Sequence, residues 1–179
     1  MRFLARTYLF IYIKYYLCCV INRQKMAALD LYEVLAIFLD AMRTFTIKLM
    51  NKYFPDKPWK ETFRANLNRG QQKSWQKEMA KGTPARDLID YSNLAVLATH
   101  FHDQLAKEIV RSNGKKKQEK DVNIFNTCIE ELRKTRNKCQ HFTSGISTDE
   151  KDCAYSDMTQ VANLLGLREL RDTITLPRI

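Results

Sequence analysis

Between residues 31 and 49 the chain carries Leu31, Leu35, Phe38, Met42, Phe45 and Leu49, alternately four and three residues apart. An α-helix turns once in about 3.6 residues, so it brings positions at that spacing onto one line, whereas a strand would scatter them over both faces. The seam therefore predicts a long amphipathic helix with a coiled-coil-like stripe that must be covered. Val34, Leu39 and Ala41 widen the stripe, so the helix is expected to pack against more than one neighbour. Pro55 disfavours helix at the residue before it and sets the end near residues 51–55.

The rest of the chain continues in the same style. Asp56 is a candidate cap for a second helix with Pro58 in its first turn and Trp59, Phe63 and Leu67 on one face. Gly70 is expected to interrupt it, and Trp75 and Met79 then lie on a short further turn or helix that ends at residues 82–84. Residues 88–111, with Tyr91 as an alternative start, read as a third long helix with Leu94, Leu97, Phe101, Leu105 and Ile109 buried, followed by a solvated loop at 112–120. Another helix is expected over 121–142, broken by Ser144 and Gly145. Ser147 and Glu150 have capping-box spacing for a last helix through Val161, Leu164 and Leu165, with Gly166 as its C-terminal cap. With five Gly and four Pro in 179 residues, a turn-rich β fold is disfavoured, and no period-two strand stands out in residues 26–179. The expected fold is all-α: an antiparallel helical bundle of four main helices with one or two short extra helices.

Residues 1–25 differ from the rest of the chain. The stretch 7–21 is almost wholly apolar or aromatic, interrupted by Lys14. It is short for a membrane span and lacks a small-residue cleavage site. Three readings stand: an incidental extension ahead of a start at Met26, a membrane-associated segment, or a signal peptide. The expected organisation is this extension, a helical domain over 26–166, and a C-terminal tail over 167–179. Of the net charge of +10, Arg2, Arg6, Lys14, Arg23 and Lys25 supply +5 ahead of the first acidic residue, Asp30. A basic balance of this size points to an anionic partner, nucleic acid or a membrane surface. Five irregularly spaced cysteines read as reduced thiols, hence an intracellular, cytoplasmic protein.

The helix over 121–142 holds a conflict between pattern and residue. Val122, Phe125, Ile129 and Leu132 form its core stripe, and the next positions on that stripe are 136 and 139. Position 136 is an arginine. A guanidinium in a core seam is costly unless it is paired or the seam opens into a site. Asn137 and His141 follow, four apart. Histidine can carry a proton near neutral pH, arginine can brace an anionic phosphate, and asparagine can orient either. The trio suits RNA phosphodiester cleavage by the RNA's own 2′-hydroxyl, with no metal or cofactor. Positions 136 and 141 stand about 140° apart around one helix, so either the arginine stem curls round or two copies of the motif meet across a two-fold axis.

Residues 136–141, Arg-Asn-Lys-Cys-Gln-His, resemble the R-polar-x-x-x-H motif of the HEPN superfamily. The setting, a late helix of a four-to-five-helix bundle followed by one closing helix, most resembles the HEPN class found in the Swt-type nuclear mRNA-surveillance endonuclease and in many prokaryotic proteins. The resemblance implies a homodimer through the motif helix and a metal-independent endoribonuclease that serves as a toxin, in antiviral defence or in RNA processing, with an antitoxin or other protein partner. It implies Arg136, Asn137 and His141 as catalytic residues; Arg133, Lys134 and Lys138 beside them are the candidate RNA contacts. Thr143 stands where some HEPN toxins carry a modifiable tyrosine, which argues against that form of neutralisation. The alternative is a catalytically inactive HEPN-like module for dimerisation or for binding RNA or a partner.

The same residues also have plainer readings. Arg136 could form a salt bridge to Asp103 or Glu108, and His141 could simply favour a helix C-terminus. His100 and His102, like Cys139 and His141, are two apart and do not share a helix face, which disfavours a metal site. Cys128 and Cys139 are expected to fill the core, and Trp59 and Trp75 to anchor packing, although an exposed Trp75 between Lys73 and Lys77 could touch RNA.

Overall fold

In the computed structural model, which describes residues 30–114, 119–141 and 146–175, the first seam is the spine of the core. Leu31, Val34, Leu35, Phe38, Met42, Leu49 and Met50 are buried, with Phe45, Leu39 and Ala41 packed at the edge of the same cluster. They lie on α1, residues 30–53. There follow α2 (Trp59–Ala65), α3 (Arg69–Ala80), a 3-10 turn (Ala85–Leu88), α4 (Tyr91–Thr99), α5 (His102–Asn113), α6 (Glu119–His141), α7 (Thr148–Leu164) and α8 (Arg168–Thr175). Every element among the described residues is helical. The second seam is the other half of the core: Val122, Phe125, Ile129, Leu132 and Cys139 are buried along α6. That helix packs on α4, α5 and α7, which makes it the element the bundle is built around. α6 and α7 run antiparallel, because the Cys128 thiol meets Gln160 Oε1 at 3.4 Å near one end while Lys138 pairs with Glu150 near the other.

Several local expectations hold. Ser147 and Glu150 form a complete capping box at the start of α7. Gly166 follows α7 with φ 66°, the left-handed conformation that glycine reaches without strain. A Cβ there would lie 2.9 Å from Ser112 Cβ, so the same glycine also lets α5 approach.

Others are corrected. The third long helix is two helices, α4 and α5, separated at His100 and Phe101. Periodicity could not reveal the break, because Phe101 leaves helical geometry (φ −119°, ψ 30°) yet stays buried, its ring edge-on to Phe54 at 5.6 Å. Asp56 does not cap α2, which starts behind Pro58 with no side-chain cap. The interruption expected at Gly70 falls earlier, at residues 66–68. Asn68 caps α3 there by accepting from the Gln71 amide at 2.9 Å, while Gln71 Oε1 accepts from the Asn68 amide at 3.0 Å. An asparagine offering a side-chain acceptor starts a helix more strongly than a lone glycine stops one. The C-terminal stretch, for which the sequence offers no period, begins with α8, where Leu170 and Ile174 are buried against the α7 side of the bundle. Two anchors four apart are too few to read as a period. Residues 1–29, and with them the readings offered for the N-terminal extension, lie outside the described residues, as does Thr143. Among the described residues no helix is long and apolar enough to cross a membrane.

Candidate functional site

Arg136 occupies its predicted place on the α6 stripe, between buried Leu132 and buried Cys139, yet it is only half-buried. The seam opens at this point. Arg136 lines a cleft of about 290 Å³ together with Leu39 and Arg43 of α1, Gln71, Ser74, Trp75 and Glu78 of α3, Asp87 and Leu88 of the 3-10 turn, and Asp90, Ser92 and Asn93 around the start of α4. The salt bridges considered for it are not made. Glu108 accepts instead from Lys52 and from Tyr53 (2.8 Å), with Arg111 at 3.9 Å, and Asp103 lies 3.7 Å from His102 Nδ1. The hydrogen bond Arg136 does make is from Nη1 to Asn137 Oδ1, at 3.3 Å.

The acids around the cleft are engaged within the protein. Arg43 donates to the carbonyl of Ile89 (2.9 Å) and the carbonyl of Asp87 (2.7 Å), with the Asp87 carboxylate at 3.4 Å. Asp90 caps α4, accepting from the Asn93 amide at 3.0 Å and from Ser92 Oγ at 2.6 Å, and Glu78 pairs with Lys81. Among the described residues, Arg136 is the cleft cation without a carboxylate in ion-pair range. A guanidinium carries five donors in a planar fork, so most of its capacity faces the cleft. Its field is felt below the cleft floor: burial pushes the Tyr91 phenol far above its ordinary value, and the Arg136 charge pulls the other way. Tyr91 itself is locked, donating to the Leu35 carbonyl at 2.7 Å.

The other candidates lie elsewhere. Asn137 is half-buried beside Arg136. Arg133 pairs with Glu130 (2.9 Å), Lys134 with Glu131 (2.6 Å), and Lys138 with Glu150, so none of the three is an open cation. Lys134 and Lys138 face a groove between α6 and α7 whose walls include Glu131, Asp149, Glu150 and Asp157. His141 closes α6, and its side chain lies outside the described residues. Because α6 is unbroken to that point, position 141 stands about 20° from position 134 and about 140° from position 136. The structure therefore brings Arg136 and Asn137 together, and sets position 141 on the neighbouring ridge with Asn137 and Lys134, away from Arg136.

The two buried thiols, Cys128 and Cys139, are poor nucleophiles. Burial pushes Cys128 up to about 12, helped by the Asp157 charge, and burial likewise raises Cys139. Trp75 is buried against Phe63, with ring centroids 5.9 Å apart, so it packs and does not stand exposed between Lys73 and Lys77. Among the described residues no group of three His, Cys, Asp or Glu is placed to hold a metal ion. Sequence reasoning missed Arg43 and Asn93, which complete the cleft around Arg136. They are far apart in sequence, and no spacing rule joins them.

The Swt1-like HEPN family model matches residues 33–166. The chain belongs to the Swt1-like HEPN family. No curated protein and no solved structure matches the chain. The HEPN match runs from the first turn of α1 through Gly166, so it covers α1 to α7 and includes the Arg136 cleft and the whole of α6. In this HEPN domain α8 is an addition beyond the matched region, packed on α7.

Proposed function

We propose that this HEPN domain is a metal-independent endoribonuclease that works as a homodimer. The observation that carries the reading is Arg136: a guanidinium built into a core stripe, without a carboxylate counter-ion among the described residues, facing an open cleft. A protein keeps such a costly group where it has an anion to meet. In the proposed reaction Arg136 holds the scissile phosphate and stabilises charge as it builds. His141 moves the proton of the attacking 2′-hydroxyl or of the leaving oxygen, and Asn137 fixes the guanidinium through its Oδ1. The divergence of positions 136 and 141 favours a site shared by two subunits, with Arg136 of one and His141 of the other flanking one phosphate. The chain would then act in the intracellular settings where such enzymes restrain or process RNA.

The test is cleavage of a varied RNA panel by purified protein in EDTA, beside Arg136→Ala and His141→Ala. Wild-type cleavage that both variants lose supports the reading. No cleavage of any RNA, or equal cleavage by the variants, overturns it. The ion pairs that occupy Arg133, Lys134 and Lys138 favour a second reading, a non-catalytic HEPN module. That module would dimerise or bind RNA equally well without Arg136 and His141.

A further inference from the structure

Among the described residues, the strongest concentration of unneutralised charge is not on the motif helix. Lys57, Lys60, Arg64, Arg69, Lys73 and Lys77 are all exposed, and among the described residues none has a carboxylate in ion-pair range. Between residues 57 and 77 there is one acid, Glu61, so this stretch carries a net +5 of the chain's +10. By contrast, the cations beside the motif are paired. The exposed cations also have an order. Arg69, Lys73 and Lys77 repeat every four residues and form one ridge of α3. Lys60 and Arg64 form a ridge of α2 and, with Glu61 between them, rim a groove of about 350 Å³ whose opposite wall is Trp75, Gln76 and Met79. Met79 is 37% exposed there, an apolar surface beside cations.

Continuity with the Arg136 cleft comes from α3. Trp75 lines both concavities, the groove against α2 on one side and the Arg136 cleft on the other. α3 is held in this position at both of its faces. Phe63 packs on Trp75 from α2, and Gln71 Nε2 donates to the Ser92 carbonyl, 3.0 Å, at the start of α4. The ridge of cations stands on the outer face of that same helix, Lys73 and Lys77 about 160° around α3 from Trp75.

We propose that α2 and α3 form a phosphate-binding tract that holds the backbone of a single-stranded RNA and leads it over α3 to Arg136. The partner is chosen by charge and by that continuity: a polyanion with regularly spaced phosphates matches a ridge of cations one helical turn apart. The site of arrival rests on the nuclease reading; the binding tract does not, and the experiment separates them. Full-length protein is titrated against fluorescent 2′-O-methyl RNA, which lacks the attacking hydroxyl and so reports binding whether or not the protein cleaves. Arg69→Gln/Lys73→Gln/Lys77→Gln is compared with an equal charge loss elsewhere, Lys48→Gln/Lys120→Gln/Arg168→Gln, each with a thermal melt to establish folding. Losing three phosphate contacts should weaken binding at least about tenfold and reduce the salt slope by about 2, while the control triple stays near wild type. No binding by wild type, equal losses in the two triples, or an unchanged salt slope would overturn the tract. Dependence on these residues for anionic vesicles but not for RNA would also overturn it. Binding that needs the ridge in a protein that cleaves nothing would leave the tract standing and remove the nuclease reading.

Discussion

Replacing Arg136 with Met should make the protein more stable while removing its proposed activity. Met has about the length of the arginine stem and a similar helix propensity, so α6 itself should be indifferent. Burying a Met side chain fully contributes about 1.5–3 kcal/mol, and a half-buried site between Leu132 and Cys139 returns about half of the lower figure or a little more, about 1 kcal/mol. The change also removes a partly desolvated charge that has no carboxylate partner among the described residues. Against this stands one long hydrogen bond to Asn137, 3.3 Å, worth about 0.5 kcal/mol at its half-exposed position. The balance is a gain of about 0.5–1 kcal/mol, which for a chain of this size raises Tm by about 2 °C. Thermal melts and urea titrations of wild type and variant measure it, and RNA cleavage is read on the same samples. A fall in stability of more than about 1 kcal/mol would refute the reasoning. It would mean that the guanidinium holds the fold together, and the case for a site at Arg136 would lose its main physical support.

Three further outcomes are expected from the same geometry. If the site is shared across a two-fold axis, mixing Arg136→Ala and His141→Ala proteins under subunit exchange should restore cleavage to about a quarter of wild type, since half the dimers are mixed and each holds one intact pair; no recovery despite proven exchange rejects the shared site. Glu150 is held below the ordinary carboxylate range, first by its hydrogen bond from Lys138 and then by the Ser147 amide. Its contribution is therefore present above the unfolded value of about 4.3 and is lost as pH falls through the lower folded value. Glu150→Gln, which keeps the capping box, should flatten the dependence of Tm on pH below about 5 and do nothing to its slope above 7. Gly166→Ala places a Cβ at φ 66° and 2.9 Å from Ser112 Cβ, and should cost more than about 1 kcal/mol in urea titration.

The legible part of the fold was the part written in long periods. The α1 seam and the α6 stripe each supply four or more buried residues at helical spacing, and both helices lie where that spacing puts them. The capping box at Ser147 was equally readable, because its chemistry is local. Breaks and short elements were not. The kink at Phe101 keeps its side chain in the core, so periodicity passes through it unmarked, and α8 offers too few anchors to register. The candidate site divides the same way. Arg136 announced itself by violating a stripe, whereas its cleft is made by Arg43, Asn93 and α3, brought together only when α1, α3 and α4 pack around α6.

That division explains why the motif alone understates what the chain needs to work. Arg136 is fixed from both sides, by Leu132 one turn before it and Cys139 three residues after it, both fully buried. Its position is set by the monomer's core. Position 141 lies beyond the last of those anchors and on the opposite side of α6 from the cleft. No rotation of α6 could serve both groups, because turning His141 toward the cleft would expose the stripe and withdraw Arg136. In the proposed shared-site enzyme the fold supplies the phosphate-binding half of the site, and the proton-transferring half comes from a second copy of the chain. Substitutions that weaken self-association without touching the α6 core should then cut cleavage steeply while leaving the thermal melt of the domain unchanged, a separation that a site contained within one subunit would not produce.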